Sequence, residues 1–352
     1  MKKILVLFLL LVRCFSSDYS DISLDRLIGQ MIFVGINGVN PNEEWIRKVS
    51  TDASLGRIGG VIFYSRNIQN QAQLKKLTTR FKNIAVSNPL FIAIDEEGGS
   101  VSRLNSISPN KLLSATEIAS KYNLLEAKSI YDKKAKELKE YGFNLNFAPV
   151  VDIGKGSLKD RVYSDDVDVV SLYAKEYASA LKDNGILYTL KHFPGQGALE
   201  QDIHTSNAIL RDYDINHLKP FYAFLNSDDV DMIMVSHVIY PDFDSLHPAS
   251  MSNATINGLL RDKLGYDGVV ISDDILIGGL DSYKLEDRVV KMINSGVDVL
   301  LFSGYFMRGT TTQNVVSGII KDAVKDGIIK RERLEKSYAR IVKLKQKIKN
   351  VK

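Results

Sequence analysis

A single (β/α)8 barrel is the architecture this sequence predicts, and three observations predict it. Eight short apolar runs rich in β-branched residues recur along the chain, helix-length segments separate them, and no Pro/Gly/Ser-rich linker divides the series. Strands that alternate with helices pair in parallel through right-handed crossovers. Near-continuous Val, Ile, Leu and Phe marks strands covered on both faces, and eight such strands favour closure over an open doubly wound sheet.

The strand runs are 31–36, 60–64, 90–95, 144–152, 186–192, 232–240, 268–273 and 297–303. The helical segments are 71–86, 115–141, 169–184, 215–226, 253–263, 285–294 and 312–325. A last helix over 331–348 carries Leu334, Tyr338, Ile341, Leu344 and Ile348 at spacings of three and four, a stripe expected to pack on the barrel. One domain is therefore expected over 20–352.

Residues 1–17 read as an export signal. Met1-Lys2-Lys3 supplies a positive start, and residues 4–12 are apolar throughout but too few to cross a bilayer. The expected location is exported, periplasmic or membrane-associated. Cys14 is the only cysteine, so no intrachain disulfide can form. Leu11-Val12-Arg13-Cys14 loosely resembles a bacterial lipobox, with Arg13 where a small residue is usual, so membrane attachment through lipidated Cys14 is one expectation.

Of the 352 residues, 45% are hydrophobic and 25% charged, a balance that permits a full core and argues against disorder. The net charge of +4 comes mostly from basic residues in 330–352, read as a solvated helix face and not a nucleic-acid site.

In such a barrel, function sits where the strands end, and here the strands end in ionisable groups. The third run leads into Asp95-Glu96-Glu97-Gly98-Gly99 with Arg103 beyond. The fourth reaches Asp152 and a loop with Asp160 and Arg161. The fifth ends in Lys191-His192, followed by Phe193-Pro194-Gly195-Gln196-Gly197 and then Asp202-Ile203-His204. The sixth gives His237 and the seventh Ser272-Asp273-Asp274. So many charges at the tips of buried strands are costly unless something binds there.

These motifs, in this order, resemble the glycoside hydrolase family 3 β-N-acetylglucosaminidases. The resemblance rests on 94–104, Lys191-His192-Phe193-Pro194-Gly195, Asp202-Ile203-His204 and Ile271-Ser272-Asp273-Asp274, with 147–152 and 236–241 also similar. It implies a retaining hydrolase that needs no metal or organic cofactor. It also implies a glycan substrate containing N-acetylglucosamine, of the muropeptide kind used in cell-wall recycling. Residue by residue, it implies Asp273 as nucleophile and His204 as acid and base, oriented by Asp202. Asp95, Arg103, Arg161, Lys191 and His192 are implied as the substrate shell. Gln196 stands where the family usually has histidine, and the context of Arg161 departs from the usual glycine-containing pattern.

The chemistry suits these residue types. Retaining hydrolysis needs a carboxylate to attack the anomeric carbon and an acid that later serves as base. An imidazole titrates near neutrality and can fill both proton roles. Asp274, next to Asp273, is expected to point elsewhere, and His237 is expected to act from behind the site or structurally. Three other readings are a β-glucosidase-like enzyme, a metal-dependent hydrolase using His192, His204 and His237, and an exported glycan-binding protein without catalysis. Relatives of the β-glucosidase kind generally take their acid from an additional domain. The metal reading lacks a His-x-His pair on the first strand, and the binding reading would need substituted catalytic positions. Oligomeric state and natural aglycone are left open.

Overall fold

The computed structural model describes residues 19–84, 88–154, 156–201, 208–227 and 229–349. The expected signal with Cys14, and the Asp202/His204 pair, lie outside the described residues. Eight buried strands build the centre: β1 (Ile32–Gly35), β2 (Gly60–Phe63), β3 (Phe91–Ile94), β4 (Leu145–Asn146), β5 (Leu187–Phe193), β6 (Met232–Val235), β7 (Val269–Ser272) and β8 (Leu300–Phe302). Each pairs in parallel with the next as far as β7, β8 pairs with β1, and a parallel bridge between Ile271 and Val299 joins β7 to β8. This is the closed (β/α)8 barrel expected.

Around it lie α1 (Leu24–Gln30), α2 (Glu44–Ser54), α3 (Gln71–Lys82), α4 (Ala115–Lys121), α5 (Leu124–Glu140), α6 (Val167–Asp183), α7 (Lys219–Leu225), α8 (Leu285–Ser295), α9 (Thr312–Lys325) and α10 (Arg331–Lys349). A helix of π type, Ala254–Lys263, connects β6 to β7. Helices α1 and α2 were not expected from periodicity. The helix expected over 115–141 is two helices. Asn123 opens the second by accepting from the Glu126 amide, while the Glu126 carboxylate accepts from the Asn123 amide.

Two strand runs also stop early. In 144–152 the ladder is interrupted after Asn146, and Pro149 has no N–H to contribute to it. In 232–240 the chain leaves the barrel after Val235, and Ile239–Tyr240 pairs antiparallel with Asp244–Pro248 at the rim.

Helix α10 buries the expected stripe, with Leu334 and Ile341 fully buried. Its basic residues are not simply a solvated face. Arg333 and Arg340 reach the buried Asp298 at 3.2 and 3.4 Å, joined there by Arg261 at 2.8 Å. Burial opposes ionisation of Asp298, but these guanidiniums hold its pKa below the ordinary value. Lys345 is also buried, and its Nζ donates to Gln30 Oε1 at 2.7 Å and the Gly59 carbonyl at 2.8 Å. The C-terminal cations thus fasten the last helix to the barrel floor, at the end remote from the strand tips. Replacing Ile341 with alanine should lower the unfolding free energy by about 2–5 kcal/mol, read as an earlier denaturant midpoint by circular dichroism.

Candidate active site

The C-terminal strand tips enclose a cavity of about 250 Å³. Asp95, Glu97, Arg103, Arg161, Lys191, His192 and Asp273 line it together, although they come from four different strand-to-helix connections or strand ends. A second cleft of similar volume lies at the barrel floor, beside Asp231 and Lys347. Its charges are already satisfied by one another: Lys347 sits 2.7 Å from Asp231, and Arg340 2.7 Å from Asp267. The strand-tip cavity lies at the end of the barrel where function sits in this fold, and it is the candidate site.

Its centre is a buried ionic cluster. Beyond β3 the chain turns back in a short ribbon, Glu96–Gly98 against Val101–Ser102. Gly98 makes the turn possible, because its φ is +103° and a Cβ there would stand 2.2 Å from the Leu113 carbonyl oxygen. Side chains alternate along this extended segment, so Asp95 and Glu97 face the cavity and Glu96 faces away. Glu97 accepts two parallel hydrogen bonds from Arg161, at 2.8 and 2.9 Å, and Lys191 Nζ lies 2.5 Å away. Burial would raise the Glu97 pKa, but Arg161 and Lys191 hold it well below the usual carboxylate range. For Lys191, burial works against the charge and is outweighed by Glu97 and Asp95, so its pKa is raised.

Asp95 receives Lys191 at 3.1 Å and Arg103 at 3.3 Å. Arg103 also lies over the Tyr64 ring, 5.6 Å from its centroid. His192, next to Lys191 on β5, is fixed from behind by Asp152. Its Nδ1 lies 2.7 Å from Asp152 Oδ2, and its Nε2 lies 3.4 Å from Arg161.

The same Asp152 explains what position 196 does. Its other oxygen accepts the backbone N–H of Gln196 at 2.7 Å. Gln196 is buried and its main chain anchors the turn, while its side-chain Oε1 has no hydrogen-bond partner among the described residues. Tyr213 and Tyr240 support the turn through the Pro194 and Gly195 carbonyls, at 2.5 and 3.0 Å.

Asp273 follows β7 directly and is half-buried in the cavity wall. Burial opposes its ionisation, yet His192, His237, the Asp274 amide 2.7 Å away and Lys191 hold its pKa below the ordinary aspartate value. The cavity therefore presents an ionised carboxylate among hydrogen-bond donors. Asp274 also borders the cavity, but its Oδ1 accepts the amides of Leu276 at 3.1 Å and Ser303 at 2.9 Å, which shapes the turn after β7. His237 is buried with Nδ1 2.7 Å from Ser250 Oγ, and burial lowers its pKa against the pull of Asp273. Among the described residues, no three His, Cys, Asp or Glu side chains are grouped as a metal ion would require.

The sequence reading named Asp95, Arg103, Arg161, Lys191, His192 and Asp273, and the fold brings all six to one cavity. It passed over Glu97, Asp152 and Tyr64 as site residues. Glu97 was reachable, since it lies two residues from Asp95 on the same strand face. Tyr64 follows β2, where a strand-end rule would have placed it. Nothing in the sequence pairs Asp152 with His192.

Because the folded pKa of Glu97 lies below its ordinary value of 4.5, its contribution to stability is complete above that value and is lost as pH falls through the folded pKa. Glu97→Gln should cost about 3–5 kcal/mol near neutrality by leaving two cations without their carboxylate. The gap to wild type should narrow as pH is lowered below 4.5 in a denaturation series.

Known proteins place the barrel in a family. Residues 23–344 match the glycosyl hydrolase family 3 N terminal domain. The chain is 33% identical over 322 residues to Beta-hexosaminidase A of Pseudoalteromonas piscicida, with 83% of this chain matched but only 54% of that protein. It is 31% identical over 313 residues to a Beta-hexosaminidase of Xanthomonas oryzae pv. oryzae, covering 86% of this chain and 92% of that one. Among solved structures, a glycoside hydrolase family 3 beta-N-acetylglucosaminidase from Paenibacillus sp. str. FPU-7 superposes with a TM-score of 0.84 at 30% identity, over 93% of this chain and 63% of that chain. The chain thus spans about half of the first relative and nearly all of the second. The match over the whole barrel makes this chain a member of glycosyl hydrolase family 3.

Proposed function

We propose that the protein is a retaining exo-glycosidase that removes terminal β-linked N-acetylglucosamine from peptidoglycan-derived or related glycans. The observation that carries this reading is the setting of Asp273, an ionised carboxylate on a rigid strand end, facing a cavity lined by Lys191, His192, Arg103 and Asp95. The small cavity suits a single terminal sugar. The names of the relatives support the N-acetylhexosamine preference.

In this mechanism the Asp273 carboxylate attacks the anomeric carbon as the bond to the leaving oxygen breaks, and His204, oriented by Asp202, gives that oxygen its proton. A covalent glycosyl-Asp273 ester results. Water then attacks the same carbon, His204 takes its proton, and the ester bond breaks to release the sugar with its original configuration. Asp95 accepts from sugar hydroxyls, while Arg103, Lys191 and His192 supply the facing polar contacts. Arg161 acts mainly by holding Glu97, with its second nitrogen toward His192. The N-terminal segment is taken as an export signal, which would put the enzyme where cell-wall fragments arise.

A chromogenic N-acetyl-β-glucosaminide should be hydrolysed at least about tenfold faster than the matching glucoside, and Asp273→Ala should lose about 10³-fold or more in kcat. No release by the wild-type protein would refute the substrate class, and normal turnover by the alanine variant would refute the nucleophile.

A further inference from the structure

Behind the sugar cavity lies a second buried ionic group that does not reach it. Lys134, on α5, is fully buried, with Nζ 2.9 Å from Glu137 Oε2, 2.9 Å from Ser108 Oγ and 3.4 Å from Glu96 Oε1. Glu96 is likewise fully buried, and both of its carboxylate oxygens are spent on the returning arm of the ribbon. Oε1 accepts from Ser102 Oγ at 2.6 Å, and Oε2 accepts the backbone N–H groups of Arg103 at 2.9 Å and Leu104 at 3.2 Å. Its main chain is held just as firmly, by Tyr177 at 2.6 Å and by the Asn146 side chain at 3.0 Å on each side.

We propose that Lys134 and Glu96 are positioning residues for Arg103: a lysine on the outer helix ring, acting through a carboxylate that never touches the cavity, sets the sugar-binding arginine against Asp95. The inference rests on the reading of Arg103 as a sugar contact. Its physical basis is the cost of the arrangement. One cation and two carboxylates are buried together, and burying charge rarely improves stability over apolar packing. What this group specifies is a position, the backbone of Arg103. Burial raises the Glu96 pKa even against the pull of Lys134, so without Lys134 this carboxylate takes up a proton more readily still. A protonated Glu96 grips the two amides more weakly, and the guanidinium drifts from its place 3.3 Å from Asp95 and above Tyr64.

The test is a double-mutant cycle on the full chain with Lys134→Met, Arg103→Ala and the combination, assayed with the chromogenic N-acetyl-β-glucosaminide. Lys134→Met should raise KM roughly fivefold or more with kcat within about twofold, and should add little to the KM of Arg103→Ala. Should Lys134→Met fail to fold, Glu96→Gln, which keeps one acceptor oxygen, takes its place with a smaller KM rise. Crystal structures of wild type and the variant supply a readout independent of turnover, the Arg103 to Asp95 separation, which should lengthen. Effects on KM that simply multiply, an unchanged KM in a folded variant, or an Arg103 that stays in place would each overturn the proposal. If wild type does not hydrolyse the probe, the proposed function fails, and the arginine's displacement alone then decides whether Lys134 positions it.

Discussion

The arrangement depends on one interaction, the meeting of Glu97 with Arg161 and Lys191. A guanidinium from the loop after β4 and an ammonium on β5 each lie within 3 Å of a carboxylate beyond β3 at the mouth of the barrel. None of these charges is affordable alone at that depth. Together with Asp95, Arg103, Asp273 and Asp274 they make three cations against four carboxylates in one cavity. Lys191 is thereby fixed where it also reaches Asp95, and Arg161 where it meets His192. Against the effect of burial, the lowered pKa of Asp273 owes most to His192 and His237, with the Asp274 amide and Lys191 adding to it.

Two buried carboxylates extend this order outward. Asp152 holds the His192 ring and the amide of Gln196 at once, so the imidazole and the turn after β5 share one anchor. Glu96 does the corresponding work for the arm that carries Arg103. The barrel floor shows the same device, with Asp298 under three arginines. There it fastens the last helix and the π-type helix, and no residue of the strand-tip cavity is involved.

Much of this was legible in the sequence, because parallel barrel strands are buried on both faces and leave near-continuous apolar runs. All eight runs coincide with barrel strands. Their ends were less legible, since pairing depends on the neighbour: 232–240 reads as one strand, yet Ile239 and Tyr240 pair in a rim ribbon instead. Helices α1 and α2 were missed, one being seven residues long and the other lacking a side-chain cap. In the site, strand-tip residues were found and their partners were not. Glu97 and Arg161 are 64 residues apart, and His192 and Asp152 are 40 apart, distances that only closure of the barrel removes. The basic C-terminus misled for a related reason, because charge in a sequence does not reveal that a buried aspartate awaits it.

The central claim is that this charge cluster holds a sugar with its anomeric carbon at Asp273. Trapping with an activated fluoro-sugar analogue of N-acetylglucosamine, followed by peptide mass mapping, tests it directly, since the attacking oxygen is labelled as the leaving group departs. The account predicts one sugar per chain on the peptide bearing Asp273, with fragmentation assigning it to that residue. A label on Asp274 or on any other residue, or turnover with no covalent adduct formed, would contradict it.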